Sequence, residues 1–368
     1  MKILFQSRIT LFSVPGGDTV QLVKTAEYLR KFGVDVDIST ELEPDLSGYD
    51  LVHLFNLMRP QEVYLQARNA KRQGKCVALS TIYGLYTEYE RKVRGGLAGW
   101  IVRHISPWQV ERLKVIARAI VNREINKGSL LTVLLGYRNF CGRIAEMTDV
   151  FLPNSASEMR RVHDDFPVSR LKPYVVVPNA VDIGVFDQEQ VVVSDEVKKF
   201  ERCVLCVARI EGRKCQLELV RAMRDLPYQL VLIGKPAPNH LTYFDSIKRE
   251  ASDRVHILGQ VPHAELAQYY KVAKVHALIS WMETPGLSSL EAGAMGCNLV
   301  ITEKGDTRDY FGNDAFYCDP ESVESIREAI VRAYDAPPNP ALVKRIRDEY
   351  NWRKTAEKTL EGYRIALA

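Results

Sequence analysis

Two glutamates, Glu283 and Glu291, stand eight positions apart in the segment SWMETPGLSSLEAGAMG, residues 280–296, with Pro285 and Gly286 between them. Carboxylates accept hydrogen bonds from hydroxyls, and unpaired amides at a helix start bind phosphate. Together they suit recognition of a nucleotide-sugar. The amides of Gly286, Leu287 and Ser288 would take the diphosphate, and the two glutamates the hydroxyls of ribose and sugar. The alternative is an ordinary amphipathic helix with solvated glutamates. Spacing alone does not separate the two, and the flanking elements carry the weight.

Those elements read as strand, loop and helix. KVHALIS, ending at Ser280, is a short apolar, β-branched segment of the kind that forms a buried strand. Beyond Pro285, Leu287, Leu290, Ala294 and Met295 recur at helical spacing. Pro285 is therefore expected at the first helical position, where a missing N–H costs nothing. Glu283 falls on the loop and Glu291 about two turns inside the helix, facing the same crevice. A second strand–loop–helix, CVLCVARIEGRKCQLELVRAM, carries Arg209 and Lys214 on its loop. Two cations at a crevice mouth can hold a diphosphate and offset the charge it gains on leaving; the alternative is surface charge.

The chain has 368 residues, 46% hydrophobic and 26% charged, which fits two folded domains of ordinary size. No apolar run approaches the roughly 18 residues of a spanning helix. Gln6, Ser7 and Arg8 interrupt the start, so no signal peptide is expected. Seven scattered cysteines suggest a reducing compartment. Cys203 and Cys206 form a C-x-x-C within a predicted strand, where they point to opposite faces, which favours buried strand cysteines over a metal or redox site. The net charge is only +4, yet residues 91–143 hold eleven Lys/Arg against Glu111 and Glu124. Within that segment Trp100, Ile101, Ile105, Trp108, Leu113, Ile116 and Ile120 are interleaved with cations and broken at Pro107. That pattern fits an interfacial helix pair on an anionic membrane, or an insertion covering the first domain with its charges solvated. No nucleic-acid module surrounds it.

In the first half, strand Lys2–Phe5, the turn Pro15-Gly16-Gly17 and a helix to about Phe32 form either a phosphate cradle or a tight turn that needs glycine. His53 nears the end of a predicted strand and is either structural or crevice-facing. Asn56 follows it. Asp35 and Asp37 lie mid-strand and read as solvated residues, with no metal site expected. Ser155 with Glu158 three positions on reads as a capping box.

ETPGLSSLEAGAMG resembles the Glu-x7-Glu signature of retaining GT-B glycosyltransferases, the family 4-like "glycosyl transferases group 1". The resemblance covers almost the whole chain and is most specific over residues 204–312. It implies two Rossmann-like parallel-sheet domains facing a cleft, with the C-terminal helix crossing back to the first. Residues 1–185 would form the acceptor domain, with the basic insertion at about 91–143. Residues 186–350 would bind the nucleotide-sugar, and 351–368 would form the returning helix. In such enzymes Arg209 and Lys214 hold the diphosphate, Glu283 the sugar and Glu291 the ribose. Pro285, Gly286, Leu287, Ser288, Gly16, Gly17, Gly234 and Val261 complete the donor site, the last two near the base. Many members carry a sugar-contacting histidine where this chain has Tyr83. His53, Asn56, Tyr83 and Glu88 are the acceptor-site candidates.

The implied function is metal-independent, retaining transfer from a nucleoside-diphosphate sugar to a glycan or lipid-linked acceptor in envelope polysaccharide or glycoconjugate synthesis. No cofactor is expected. The enzyme would be cytoplasmic and peripheral on the inner membrane face. The alternatives are a GT-B epimerase or phosphorylase, or a non-catalytic membrane-associated binding protein.

Overall fold

The computed structural model describes residues 1–93, 96–121 and 127–368. Arg94, Arg123 and Glu124 of the basic segment lie outside the described residues. The chain divides into two compact units, Met1–Pro178 with Trp352–Ala368, and Asn179–Asn351. The division falls earlier than residue 185 because the chain past Pro178 is already tied to the second unit. Val181 bridges to Asn351, and the Asn179 amide donates to the Tyr310 hydroxyl at 2.9 Å.

The first unit is built on strands β1 (Lys2–Gln6), β2 (Asp35–Ser39), β3 (Leu51–Phe55), β4 (Cys76–Ser80) and β5 (Val150–Phe151). They form one parallel sheet in the order β2-β1-β3-β4-β5. The order reverses between β1 and β3, and such a switch point opens a crevice beyond the strand C-termini. Strands covered on both faces read as continuous apolar runs, as in LVHLF and CVALS. The C-terminal helix, Trp352–Leu367, packs on helix Gly17–Lys31 and on β4. Gly362 permits this approach, since a Cβ there would lie 2.4 Å from a Leu152 methyl.

The second unit holds β6 (Val204–Val207), β7 (Leu230–Ile233), β8 (Val255–Gly259), β9 (Val275–Leu278), β10 (Asn298–Thr302) and β11 (Phe316–Cys318). These too are all parallel, in the order β11-β10-β9-β6-β7-β8. This is the doubly wound order of dinucleotide-binding sheets, and its switch point lies between β6 and β9. Leu205, Val231, Leu278, Leu299 and Ile301 form its core with Leu290 and Ile346. Cys203 and Cys206 are both buried in this sheet, and burial pushes each thiol up to about 12.

The basic segment folds as helices Gly96–His104, Pro107–Val121 and Lys127–Leu135, with the break at Pro107. Its apolar residues divide between two environments rather than forming one stripe. Trp108 packs inward, its ring 5.8 Å from Phe166. Trp100, Leu113 and Ile120 are exposed, and the anchoring apolar residues are instead Val102, Val110 and Val115. Lys114 turns onto Glu111 and Glu90 at 2.7 and 3.1 Å. No helix among the described residues is long and apolar enough to cross a membrane.

Candidate active site

The loops after β6 and β9 flank the switch point of the second sheet, and they carry the charged residues. Lys214 ends a short 3-10 turn, Gly212–Lys214, and Glu283 follows β9. The two loops are bonded directly, the Trp281 amide donating to the Arg213 carbonyl at 3.0 Å. Lys214 Nζ donates to Glu283 Oε1, and each side chain keeps 11% of its exposure. Burial holds the Lys214 ammonium below its ordinary value despite the pull of Glu283. Burial would raise the Glu283 carboxyl, but Lys214, with Arg213 and Ser280, outweighs it and holds it below 4.5. The site thus holds a self-neutralised ion pair.

The backbone around Glu283 is clamped. Its amide donates to the Lys304 carbonyl at 3.2 Å, and its carbonyl accepts from the Asp306 amide at 2.8 Å. Gly305, between them, is at φ +92°, and a Cβ there would lie 2.1 Å from the Glu283 carbonyl oxygen. Asn179 Nδ2 donates to the Thr284 carbonyl at 3.1 Å. The turn Glu303–Asp306 and Asn179 are site-building residues that the sequence reading did not assign. The signal for the turn was Gly305, three residues past the end of β10.

The helix after Glu283 spans Leu287–Ala294, with Gly286 as its N-cap at φ +86°. Pro285 therefore precedes the cap instead of opening the helix. The left-handed cap and the 2.7 Å between a Cβ on Gly286 and a Leu278 methyl both call for glycine here. Ser289 and Leu290 donate to the Gly286 carbonyl at 2.9 and 3.2 Å. The amides of Gly286, Leu287 and Ser288 meet no protein acceptor among the described residues. A Cβ on Gly286 would also lie 3.4 Å from Glu283 Oε2, so the carboxylate sits at this helix start.

Glu291 is the fifth residue of the helix, little more than one turn in, and is 8% exposed. Its Oε1 accepts from His263 Nε2 at 2.7 Å and its Oε2 from the Tyr270 hydroxyl at 2.9 Å. His263, outside the expected set, is therefore part of the site. His263 and Tyr270 are seven apart, the spacing of one helical face, and that was the available signal.

Arg209 is exposed on the loop after β6, its carbonyl accepting from Gln216 Nε2 at 2.9 Å. Gly234 serves backbone packing. Its amide donates to Gly259 at 2.7 Å, and a Cβ would collide with the Ala208 carbonyl oxygen at 1.9 Å. Val261 is half-buried against the second-unit core.

In the first unit, the switch-point crevice is organised by a residue outside the expected set. Arg8, 5% exposed, pairs with both oxygens of Asp18 at 2.7 and 3.0 Å and binds the Thr10 and Val14 carbonyls. Gly16 caps helix Gly17–Lys31, its amide donating to Thr19 Oγ1 at 3.1 Å. Asn56, at φ +79°, donates from Nδ2 to Asp18 at 3.3 Å. Gly16, Gly17 and Asn56 are thus brought together around Asp18.

His53 and Tyr83 belong to the core and not to an acceptor surface. The His53 ring lies between Tyr363 Oη at 2.7 Å and Ser80 Oγ at 2.9 Å, and burial pushes it down to about 3. Tyr83 is 1% exposed, its hydroxyl donating to Asp165 at 2.7 Å and its amide to Glu158 Oε1 at 2.6 Å. Of the expected capping box only the Ser155 half forms, and the Glu158 carboxylate turns elsewhere. Ser155 caps the Glu158 amide at 2.8 Å, while the carboxylate fixes Thr81, Tyr83 and the Asn154 amide. Glu88 pairs with Lys92 at 3.1 Å on helix Thr87–Val93. Asp35 and Asp37 ion-pair with Lys2 on the surface.

A family model described as "Glycosyl transferases group 1" matches residues 187–351. A D-inositol 3-phosphate glycosyltransferase of Corynebacterium urealyticum is 24% identical, over 95% of this chain and 90% of its own length. One of Mycobacteroides abscessus is 26% identical over 79% of this chain and 70% of its own. Among solved structures, sucrose-phosphate synthase from Thermosynechococcus elongatus superposes with a TM-score of 0.71 at 17% identity, covering 99% of this chain and 98% of that one. HepE of Anabaena, solved with UDP and glucose, gives 0.68 at 14% identity, covering 99% of each chain. Both share the two-domain Rossmann-like GT-B fold. The matched domain lies within the second unit, around the Lys214–Glu283 pair, and residues 187–351 form a domain of the glycosyl transferases group 1 type.

Proposed function

We propose that this glycosyltransferase takes a sugar from a nucleoside-diphosphate donor with retention and without a metal, passing it to a glycan or lipid-linked acceptor. The observation that carries the donor reading is the buried Lys214–Glu283 pair at the switch point, beside a helix start with three free amides. On donor binding, Lys214 moves from Glu283 to the diphosphate, joined by Arg209 and the amides of Gly286, Leu287 and Ser288. Glu283, released, accepts hydrogen bonds from the sugar, and Glu291 from the ribose. The bond from the anomeric carbon to phosphate oxygen breaks through an oxocarbenium-like state. Fixed cations and amides stabilise the charge gathering on the leaving diphosphate. The acceptor hydroxyl attacks from the same face and gives its proton to a phosphate oxygen. Gly16, Gly17 and Asn56 are assigned to substrate binding on the first unit. HepE, solved with UDP and glucose, supports a nucleotide-sugar donor by likeness of fold.

Thermal unfolding with UDP, GDP, ADP and CMP in turn, with EDTA present, tests the donor reading. A ligand at 100 times its Kd adds about 2.7 kcal/mol. A rise with one diphosphate names the donor base and supports metal-free binding. No shift with any would favour the non-catalytic alternative, and turnover of a nucleotide-sugar without acceptor would favour the epimerase. The anomeric configuration of the first product, followed by NMR, decides retention.

We also place the enzyme on the cytoplasmic face of the membrane, in envelope polysaccharide or glycoconjugate synthesis. Trp100, Leu113, Ile120, Leu130 and Leu134 are exposed on the basic helices, 48–71% each. Apolar side chains among cations bind anionic bilayers by both terms. Co-sedimentation with vesicles containing anionic lipid, lost on charge reversal of Arg103 and Arg112, is the expected result.

A further inference from the structure

Glu291 is held differently from Glu283. Among the described residues no cation of the Lys214 kind neutralises it; each of its oxygens accepts one hydrogen bond there, from His263 Nε2 and from the Tyr270 hydroxyl. Tyr270 is fully buried on helix Leu266–Val272, its ring packed edge-on against Phe186 at 5.8 Å. His263 leans on the same Phe186 at 5.2 Å, yet 58% of its side chain remains exposed. One partner is thus locked in the core and the other stands at the surface. An ionised carboxylate offers about four lone-pair sites, two on each oxygen. Two are used here, one on each oxygen, so each oxygen keeps a further acceptor site while its position is held by its partner. Two parallel acceptors at fixed separation match the two adjacent hydroxyls of a ribose.

We propose that Tyr270 and His263 are positioning residues that fix the Glu291 carboxylate to read a ribose diol, Tyr270 as the permanent partner and His263 as the outer, replaceable one. This rests on the reading that Glu291 meets the ribose. Burial and the neighbouring Glu291 hold the Tyr270 hydroxyl well above its ordinary value, so it remains a donor throughout the working range. Freeing the carboxylate to rotate weakens recognition of the diol without touching the diphosphate.

The test compares binding of a nucleoside diphosphate with that of its 2′,3′-dideoxy form to the full chain. The probe is whichever of UDP, GDP or ADP stabilises the wild type. The wild type is expected to prefer the ribose form, and Glu291→Ala to lose that preference. Tyr270→Phe should lower the preference by about tenfold, the scale of one hydrogen bond to a charged group. The loss should fall on the ribose form, with binding of the dideoxy form unchanged. His263→Ala should lower the preference by less, and His263→Gln, which keeps a donor, should restore it. His263 is exposed, so its variants keep the test open if Tyr270→Phe does not fold. Equal weakening of both nucleotides, or an unchanged preference in Tyr270→Phe and His263→Ala, overturns the proposal while the Glu291 reading stands. No preference in the wild type overturns both.

Discussion

Replacing Glu283 by Gln should destabilise the free protein yet tighten its grip on a nucleoside diphosphate. Lys214 and Glu283 are each left with 11% of their side-chain exposure, so removing one charge strands the other in a poorly solvated site. Breaking a buried pair in this way costs about 3–5 kcal/mol. A unit of this size shifts its midpoint by roughly 2–4 °C per kcal/mol. The free variant should therefore unfold roughly 6–20 °C lower in the transition of the second unit. A diphosphate arriving at the wild type must take Lys214 from Glu283; in the variant the ammonium has no competing carboxylate. Affinity for the bare diphosphate should rise by about tenfold or more, and its thermal shift should exceed that of the wild type. Sugar transfer should fall, because the group that accepts from the sugar is gone. The pH dependence has a definite sign. The Glu283 carboxyl lies below its ordinary 4.5 in the folded protein, so its stabilisation is present above that pH and fades as pH drops through the folded value. The gap between wild type and variant should close there. An unchanged midpoint in the free variant, or weaker diphosphate binding, would refute the reasoning.

Three further outcomes follow from the same structure. His53 and His276 are buried and pushed down to about 3 from 6.5, so the unfolded chain takes up protons that the folded chain refuses. Stability should fall as pH drops below 6.5, by about 1.4 kcal/mol per pH unit for each histidine; urea titrations should show a shallower slope in His53→Asn. Gly305→Ala places a methyl 2.1 Å from the Glu283 carbonyl oxygen at φ +92°, and should abolish the diphosphate-induced thermal shift. Gly48→Ala, where a Cβ meets nothing within 4 Å, is the neutral control. Arg8→Met leaves Asp18 buried without its guanidinium, and should cost about 3–5 kcal/mol and open the loop before Gly16 to proteolysis.

Much of the fold was legible because buried parallel strands announce themselves. CVLCV, LVLI and LVI are apolar without interruption, and the helices between them repeat at helical spacing. What the pattern did not show was order. Nothing in the sequence says that β6 lies beside β9, and that adjacency brings Lys214 to Glu283 across 69 positions. Local backbone was also hidden. Pro285 looks like a helix start by composition, but the left-handed Gly286 moves the cap two residues on, from Thr284. In the first unit, the position of His53 near a strand end left it open between a structural and a crevice-facing role, and its burial decides for the first. Its ring is spent joining β3 and β4 to the C-terminal helix through Ser80 and Tyr363.

The two glutamates of the motif differ in kind because their partners do. Glu283 faces a cation, so it holds no net charge to offer until an anion draws Lys214 away. Glu291 faces a phenol and an imidazole, which orient its charge without being a fixed cation against it. A hydroxyl approaching Glu291 therefore meets an acceptor that is ready before binding. A hydroxyl approaching Glu283 meets one only after the diphosphate has arrived. On the proposed function this orders recognition: the nucleotide is read first, and the sugar is gripped only when its own diphosphate has released the carboxylate. A free sugar should accordingly bind far more weakly than the same sugar added with the diphosphate, and Glu283→Gln should erase that dependence.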